Sequence, residues 1–181
     1  MIKVEFKGQY GKVEYKTKLS AGADLCAQPP STEEQAHSPC WRCGHTPTRW
    51  VLEPGEWCCI PTGLFIVEAE VIPFKIADPK LELPPASFTK LLTMIPYLEV
   101  TPRSGLALKA ALSSPNSPAL VDMDFRGEIC LIPQNLGFQP IVIELGDRIG
   151  QIKGCYAFKI DGLPTLDVER GANGFGSSGL K

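Results

Sequence analysis

The sequence predicts an all-β domain, an antiparallel sandwich or jelly-roll-like barrel with one or two short helices. Short apolar runs, several of them rich in β-branched residues, recur along the chain and are separated by turn residues. Glycine and proline, 17 of each, are spread throughout and are not pooled in a linker. Helical periodicity is scarce. Short strands with turns between them are typical of sandwiches and barrels.

The apolar runs mark the predicted strands. The first of them alternates as a half-buried strand does. In chain order the runs are Ile2–Phe6, Cys58–Ile60, Leu64–Val67, Ile129–Ile132, Ile141–Leu145 and Ile149–Ile152. Two short helices are predicted, one after Ser104 through residues 105–112 and one after Ser87 through residues 88–94.

Two stretches interrupt this pattern and are predicted to be inserts on the β scaffold. Residues 28–49 are polar, with four prolines, both histidines and two cysteines. Residues 70–96 hold five prolines and the second predicted helix. We expect one β domain over residues 1–169, followed by a flexible C-terminal arm at residues 170–181.

Composition limits the function classes. A length of 181 residues suffices for one domain with a core of its own. The net charge is −2 and no basic stripe is visible, which disfavours nucleic-acid polymers but allows a small phosphorylated ligand. The seven cysteines cannot all pair. With no signal-like or membrane-length apolar run, we expect a cytoplasmic protein with mostly reduced thiols.

The segment SAGADL at residues 20–25 places a carboxylate after a small-residue turn, at the start of an apolar run. Asp24 suits either of two roles. It can approach the water shell of Mg²⁺, which usually keeps several waters, or it can cap the turn.

The segment PRSGLA at residues 102–107 combines a stiff approach with the start of the first predicted helix. The amides of Ser104 and Gly105 would lie at a helix N-terminus, which favours phosphate, and Arg103 adds a fixed positive charge. The alternative is an ordinary serine N-cap with a solvated arginine.

The segment VDMDFRGE at residues 121–128 has two carboxylates in alternate positions. If residues 121–125 are extended, Asp122 and Asp124 lie on one face, where they repel unless one is used or paired. The arginine and glycine that follow predict a turn back into another strand. Such a hairpin can carry a general base; surface acids on a solvent-facing hairpin are the alternative.

The segment GDRIGQ at residues 146–151 predicts a turn that delivers a strand. Arg148 and Ile152 would share one face of that strand, with Gln151 on the other. The Gln151 amide can donate to a phosphate oxygen. We expect Asp147 and Arg148 to pair and brace the turn.

The segment RGANGFGSSG at residues 170–179 has glycine at nearly every other position, with one ring, one cation and two hydroxyls. It forms helix and strand poorly and cannot build a core. It can lie over a ligand, stack its ring and donate to an anion. A disordered tail is the alternative.

In this order the five segments resemble the five motifs of the trimeric dUTPase family. The resemblance covers residues 20–179, and the last four segments each match at most positions. It implies a jelly-roll-like domain in a threefold homotrimer, with each active site built from all three chains. The implied reaction is Mg²⁺-dependent hydrolysis of dUTP to dUMP and pyrophosphate, which keeps uracil out of DNA and supplies dUMP for dTMP synthesis.

The resemblance assigns roles to individual residues. Asp122 would be the general base that deprotonates the attacking water. Phe125 would pack under the deoxyribose and exclude a 2′-hydroxyl. Asp24 would contact the water shell of the metal.

Three further groups of residues would bind the substrate. The uracil edge would be read by Asn116 and by the backbone of Leu120, Val121 and Asp122. The phosphates would be held by Arg103, Ser104, Gly105 and Gln151. The closing arm would comprise Arg170, Phe175, Gly176, Ser177 and Ser178, with Phe175 stacked on uracil.

Some positions depart from the family pattern. Phe125 stands where tyrosine is commoner, so stacking is retained and any hydroxyl contact is lost. Ala119 and Asn173 stand where glycine is usual. Ala110 and Ala111 replace a common His-Gly pair, which bears on the local backbone geometry.

Two other functions stay open. A dCTP deaminase of related fold would need to recognise an amino group and would release ammonia; the intact PRSGLA and RGANGFGSSG segments favour dUTP hydrolysis. A nucleotide-responsive binding protein, with the inserts as its partner surface, would leave bound dUTP unhydrolysed. The expected partners are dUTP and further copies of this chain, and neither nucleic-acid polymers nor membranes.

One insert also carries metal-ligand spacing. Cys40, Cys43 and His45, with Cys58 and Cys59 further along, could form a four-ligand zinc site. One CxxC without a second pair favours a thiol-bearing loop without metal.

Overall fold

The computed structural model describes residues 2–30, 44–46, 48–69 and 94–158, which form twelve strands and one helix. The strands are β1 (Ile2–Phe6), β2 (Ala23–Cys26), β3 (Gly44–Thr46), β4 (Arg49–Leu52), β5 (Ile60–Ala69), β6 (Met94–Pro102), β7 (Leu112–Ser113), β8 (Ala119–Val121), β9 (Glu128–Leu131), β10 (Gln134–Asn135), β11 (Ile141–Glu144) and β12 (Arg148–Phe158). The helix, α1, spans Ser104–Ala110. The predicted all-β class is confirmed.

All strand pairs are antiparallel and form four sheets. The largest, the four-stranded sheet, has the order β2-β12-β6-β8. Two three-stranded sheets have the orders β1-β5-β9 and β11-β4-β3, and a small sheet pairs β10 with β7. Sequence neighbours often lie in different sheets, so the chain crosses repeatedly between layers, as in a sandwich.

The predicted runs become strands with one merger. The run Ile2–Phe6 forms β1 over its full length, but β5 begins only at Ile60, the last residue of the predicted strand 58–60, and continues through the predicted strand 64–67. A register shift between Pro61 and Leu64 lets β5 continue through the intervening turn-like residues. Gly63, at φ +70°, makes this possible, because a Cβ there would lie 2.6 Å from the backbone of Gly8.

One hydrophobic core lies between the sheets. Its largest fully buried side chains come from strands of all four sheets; they include Leu25, Trp50, Leu52, Ile60, Leu64, Leu112, Ile129 and Ile149. The Trp50 indole donates its N–H to the carbonyl of Gln28 at 3.0 Å, so its one polar atom is paired. Among the described residues, no buried side-chain nitrogen or oxygen lacks a hydrogen-bond partner.

The four-stranded sheet has two different faces. Ala23, Val100 and Ile152 point into the core and are buried. The alternate positions, which include Asp24 and Gln151, point to the other face. This outer face carries most of the polar chemistry described below.

Helix α1 follows β6 immediately and is only lightly packed. None of its residues is fully buried, and the side chain of Leu108 is 87% exposed. The helix ends at Ala111, whose φ of 53° and ψ of 30° place it in the left-handed region. That region favours glycine, so the replacement of glycine at this position leaves the geometry intact at an energetic cost.

The predicted inserts are described in part. Residues 31–43, 47 and 70–93 lie outside the described residues, and so does the second predicted helix except for its last residue, Met94, which is in a strand. Within the first insert β3 pairs with β4, and within the second Met94 already begins β6. In the parts of the chain that the structure describes, no helix is long and apolar enough to cross a membrane.

Candidate active site

Three of the predicted ligand-binding residues meet at one buried carboxylate. Asp24 is 2% exposed. Its Oδ1 lies 3.3 Å from the Arg103 Nε, and the Gln151 Nε2 donates to the same oxygen at 3.3 Å. Its Oδ2 accepts from the Arg148 Nη1 at 3.0 Å. We call Asp24, Arg103, Arg148 and Gln151 the arginine–carboxylate cluster.

Sheet register assembles this cluster. Gln151 lies opposite Asp24 on β2 and opposite Thr101 on β6, so β12 links the two. Arg103 follows β6 by one residue, and its backbone N–H donates to the Ile149 carbonyl at 3.4 Å. Residues 24, 103 and 151 are far apart in sequence and are adjacent only because three strands lie side by side.

The predicted facing of β12 is wrong at its start. Arg148 and Ile152 were expected to share a face, but Ile149 and Ile152 are both buried while Arg148 and Gln151 reach the same carboxylate. A register shift between Arg148 and Gly150 is the cause, because one extra residue reverses the facing of all that precede it.

The expected pairing of Asp147 with Arg148 is also replaced. Arg148 pairs with Asp24, whereas the Asp147 carboxylate accepts the Glu144 amide at 3.0 Å and caps the turn itself. The sequence placed the two charges in adjacent positions but gave no sign of a third, buried charge.

The start of α1 lies beside the cluster. Arg103 is the N-cap residue, with extended backbone (φ −78°, ψ 136°) and no side-chain capping bond. Ser104 is therefore the first helical residue and not the cap that was considered. The backbone N–H groups of Ser104 and Gly105 lie in the first turn of the helix and therefore have no acceptor within it. Both residues are exposed. A Cβ on Gly105 would meet nothing within 4 Å.

Asn116, Leu120 and Val121 lie at the opposite edge of the four-stranded sheet. Asn116 is in an exposed turn, where its Oδ1 accepts from the Ser114 hydroxyl at 2.9 Å. Leu120 and Val121 belong to β8, which pairs with β6 on one side only among the described strands. The outer edge of β8 therefore presents backbone donors and acceptors.

The predicted hairpin after Val121 is wrong. The strand stops at Val121, and residues 122–125 form a tight turn in which the Phe125 N–H donates to the Asp122 carbonyl at 3.2 Å. The next strand, β9, pairs with β5 in another sheet. A turn, unlike an extended strand, does not put Asp122 and Asp124 on one face. Asp122 is exposed, and Phe125 is partly buried against the core.

Asp122 and the arginine–carboxylate cluster lie at opposite ends of the segment from Tyr97, near the middle of β6, to Arg103, just after it, and we call these the Asp122 end and the Arg103 end. Val121 is opposite Leu98, so β8 runs away from Arg103 and Asp122 lies about level with Tyr97. From Tyr97 to Arg103 the extended chain covers about 20 Å. A single chain therefore does not bring the predicted base to the predicted phosphate-binding residues.

A network that the motifs did not indicate lies between those two ends. On β6 the Tyr97 hydroxyl donates to the Glu99 Oε1 at 2.9 Å, and on β12 the Lys153 Nζ lies 2.7 Å from the Glu99 Oε2. Hydrogen bonding to Glu99 raises the pKa of Tyr97 to about 12, and Lys153 holds the pKa of Glu99 below its usual value. Tyr97 and Glu99 lie two residues apart on β6, and the register of β6 against β12 places Lys153 opposite Glu99.

The remaining predicted site residues lie outside the described residues. They are Arg170, Phe175, Gly176, Ser177 and Ser178. Cys40 and Cys43 also lie outside, and the side chain of His45 is not described. Cys58 and Cys59 are buried in the core. No group of three His, Cys, Asp or Glu side chains placed to hold a metal occurs among the described residues.

The fold defines a class, and the sequence relatives define a family. Over 99% of both chains, the structure resembles a mutant of the Staphylococcus bacteriophage 80alpha dUTPase with dUpNHpp, at a TM-score of 0.59 and 18% identity. This likeness shows a dUTPase-type fold.

Sequence comparison makes the assignment specific. A family model described as dUTPase matches residues 94–179. A deoxyuridine 5′-triphosphate nucleotidohydrolase of Treponema denticola is 37% identical over 170 residues, 92% of this chain and 90% of the relative. The enzyme of that name from Caulobacter vibrioides is 37% identical over 133 residues, 72% of this chain and 70% of the relative. The chain belongs to the dUTPase family.

Proposed function

We propose that this protein is a dUTP diphosphatase that hydrolyses dUTP to dUMP and pyrophosphate. The observation that carries the proposal is the arginine–carboxylate cluster, which presents two guanidinium groups beside a helix start in a chain of this family. Water adds to the α-phosphorus while the bond from that phosphorus to the α,β-bridging oxygen breaks. The leaving group is pyrophosphate, and the proton of the attacking water goes to Asp122.

The Arg103 end would bind the phosphates. Arg103 and Gln151 face the outer side of the sheet, and the exposed amides of Ser104 and Gly105 lie next to them. Charge-assisted hydrogen bonds from such donors are among the strongest that proteins form. Positioning and charge neutralisation are the main requirements of phosphoryl chemistry.

Mg²⁺ would enter with the substrate. When bound it would neutralise charge on the triphosphate and would be held by phosphate oxygens together with waters. Both oxygens of Asp24 lie beside positive or amide donors of this chain, namely Arg103, Arg148 and Gln151. Contact of Asp24 with a metal's water shell stays a prediction.

The Asp122 end would bind the nucleoside. The edge of β8 that pairs with no other described strand would read the uracil, with Asn116 nearby and the Phe125 ring under the deoxyribose. Asp122 is exposed at the end of that strand, where a bound substrate can reach it. The arm at residues 170–181 would close over both, with Phe175 stacked on uracil.

The distance between Asp122 and the arginine–carboxylate cluster supports a homotrimer with shared sites. A triphosphate bound at Arg103 cannot be attacked by water held at an Asp122 about 20 Å away along the strand. A second copy that brings its own Asp122 to the first copy's cluster completes the site. In a closed threefold ring each copy gives one half-site and receives another.

Pyrophosphate release, assayed across the deoxynucleoside triphosphates and UTP, tests the activity. We expect release from dUTP and little from the others. Ammonia released from dCTP would instead indicate a deaminase. Bound dUTP that survives incubation with Mg²⁺ would indicate a binding protein.

Subunit mixing tests the shared site. Arg103→Ala chains and Asp122→Asn chains should each have little activity alone. After exchange at equal amounts, three quarters of threefold rings are mixed and each mixed ring holds one intact site, so about a quarter of wild-type turnover should return. No recovery, with exchange proven by mass spectrometry of differently tagged chains, would place both residues in one chain's site.

The arm is tested in the same way. Removing residues 170–181 should leave a folded assembly that has lost most of its turnover, and mixing with Asp122→Asn chains should restore part of it. The cytoplasmic location and any protein partner of the inserts stay predictions.

A further inference from the structure

We propose that Asp24 is a positioning residue: it is the buried counter-charge that fixes Arg103 and Arg148 in the orientation that receives the substrate's phosphates. This inference rests on the proposed function and revises the predicted role of Asp24 at the metal's water shell. It also adds Arg148 to the residues on which phosphate binding depends.

Burial and geometry carry the inference. The Asp24 side chain is 2% exposed, while those of Arg103 and Arg148 are 30% and 42% exposed. The carboxylate therefore lies beneath the two guanidinium groups, each of which keeps a solvent-facing part. A buried carboxylate is costly unless it is paired and hydrogen-bonded, and the contacts described for the Asp24 carboxylate are with the side chains of Arg103, Arg148 and Gln151.

Backbone contacts reinforce the arrangement. The Arg103 Nη1 donates to the Arg148 carbonyl at 3.3 Å, in addition to the Arg103 N–H bond with Ile149. The Asp24 N–H donates to the Glu14 carbonyl at 3.0 Å. The carboxylate is thus fixed to its strand, and the guanidinium of Arg103 is held from two sides.

Preorganisation explains why a negative charge belongs in an anion site. Free arginine side chains lose much rotamer freedom when they bind, and a planar guanidinium that is already oriented loses less. One carboxylate beneath two guanidinium groups leaves a net charge of +1 for these three side chains. Asp24 therefore lowers the positive potential of the cluster but holds its hydrogen-bond donors in fixed positions.

The inference makes a prediction opposite to simple electrostatics. Replacing Asp24 with asparagine removes a negative charge, so charge alone predicts tighter binding of an anion. If Asp24 acts through a metal's water shell, binding weakens only when Mg²⁺ is present. If Asp24 positions the arginines, binding weakens with or without Mg²⁺.

Calorimetric titration with dUpNHpp separates these cases. We expect Asp24→Asn to bind the analogue about ten- to a hundredfold more weakly than the wild type, both in excess Mg²⁺ and in EDTA. Glu68→Gln is the matched control, since Glu68 is an exposed carboxylate whose partner is Lys3; its affinity should equal that of the wild type. Tighter binding in EDTA, or a loss confined to Mg²⁺, overturns the inference.

A double-mutant cycle gives a second, independent test. Arg148→Gln should also weaken dUpNHpp binding in EDTA. In the Asp24→Asn background the same change should cause little further loss of affinity, because both substitutions break the contact that orients Arg148. Full additivity would mean that Arg148 acts on the ligand without Asp24, and would overturn the positioning role. A wild-type protein that neither binds dUpNHpp nor hydrolyses dUTP would instead reject the proposed function.

Discussion

The Arg103 end and the Asp122 end of the Tyr97–Arg103 segment differ in how much of their polar surroundings a single chain supplies. At the Arg103 end, the side chains of Arg103, Arg148 and Gln151 hold the Asp24 carboxylate, which is 2% exposed although β2 is an outer strand of its sheet. At the Asp122 end, β8 is the other outer strand among the described strands, and Asp122 is exposed at the start of a turn. The first region is built within the chain, and the second presents its chemistry outward.

This difference suggests that one region binds the phosphates and the other recognises the nucleoside. Phosphate binding requires several donors in fixed positions, which side chains of adjacent strands paired to one buried carboxylate provide. Base and nucleoside recognition at an exposed edge can instead be brought to another copy's phosphates when copies assemble. The lightly packed α1, which joins the Arg103 end, needs no core contacts of its own if it borders such an interface.

The largest expected effect lies at the exposed end. Asp122→Asn should reduce turnover about 10²–10⁴-fold, the usual contribution of a general base, while dUpNHpp binds almost as before because the Arg103 end is unchanged. Single-turnover kinetics and calorimetry measure the two quantities. Near wild-type turnover would make Asp124 the next candidate for the base.

The second prediction concerns the sugar at the same end. A ring under the deoxyribose leaves no partner for a 2′-hydroxyl, so kcat/KM for UTP should be about 10²-fold below that for dUTP. Phe125→Ala should lower both values and narrow their ratio at least severalfold. An unchanged ratio would show that the sugar is read elsewhere. Because Phe125 also packs against the core, thermal melting should accompany the assay.

A smaller effect is expected beside the Arg103 end, where α1 closes on a left-handed residue. Ala111→Gly should stabilise the protein by about 1 kcal/mol, since glycine adopts φ of 53° without the clash that alanine suffers. Tm should rise by about 2–4 °C. Ala110→Gly, one residue earlier and within the helix, is the matched control and should lower Tm.

The smallest effect concerns the network of Tyr97, Glu99 and Lys153. The Glu99 carboxylate raises the pKa of Tyr97 to about 12, so Tyr97 should remain mostly protonated at pH 11, and Glu99→Gln should leave it mostly ionised there. Ultraviolet absorbance of each protein against its Tyr97→Phe counterpart measures this.

The sign of the stability change follows from the direction of the Tyr97 shift. A pKa raised in the folded state contributes stability that is complete below about pH 10, the unfolded value, and is lost as the pH rises through about 12. Wild-type stability should therefore fall more steeply than that of Tyr97→Phe across this range. Parallel curves would mean that the hydroxyl is not held by Glu99.

Local sequence signals succeeded where structure is decided locally. Alternation over Ile2–Phe6 predicted β1 to the residue, and the proline, serine and glycine of PRSGLA predicted the start of α1. The chemistry of the five segments was sufficient to indicate the family. These features depend on residues that are neighbours in the chain, so their physics can be read from the sequence.

The tertiary structure decided everything that depends on register and sheet membership. The sequence alone predicted Asp24, Arg103 and Gln151 as candidate ligand-binding residues, but the bulge before Gly150 is what brings Arg148 to the same carboxylate. Likewise VDMDFRGE predicted a hairpin, yet β8 and β9 entered different sheets. Strand pairing is set by burial across the whole core, and a one-residue shift reverses which side chains meet. No local sequence pattern indicates which strands pair or in which register.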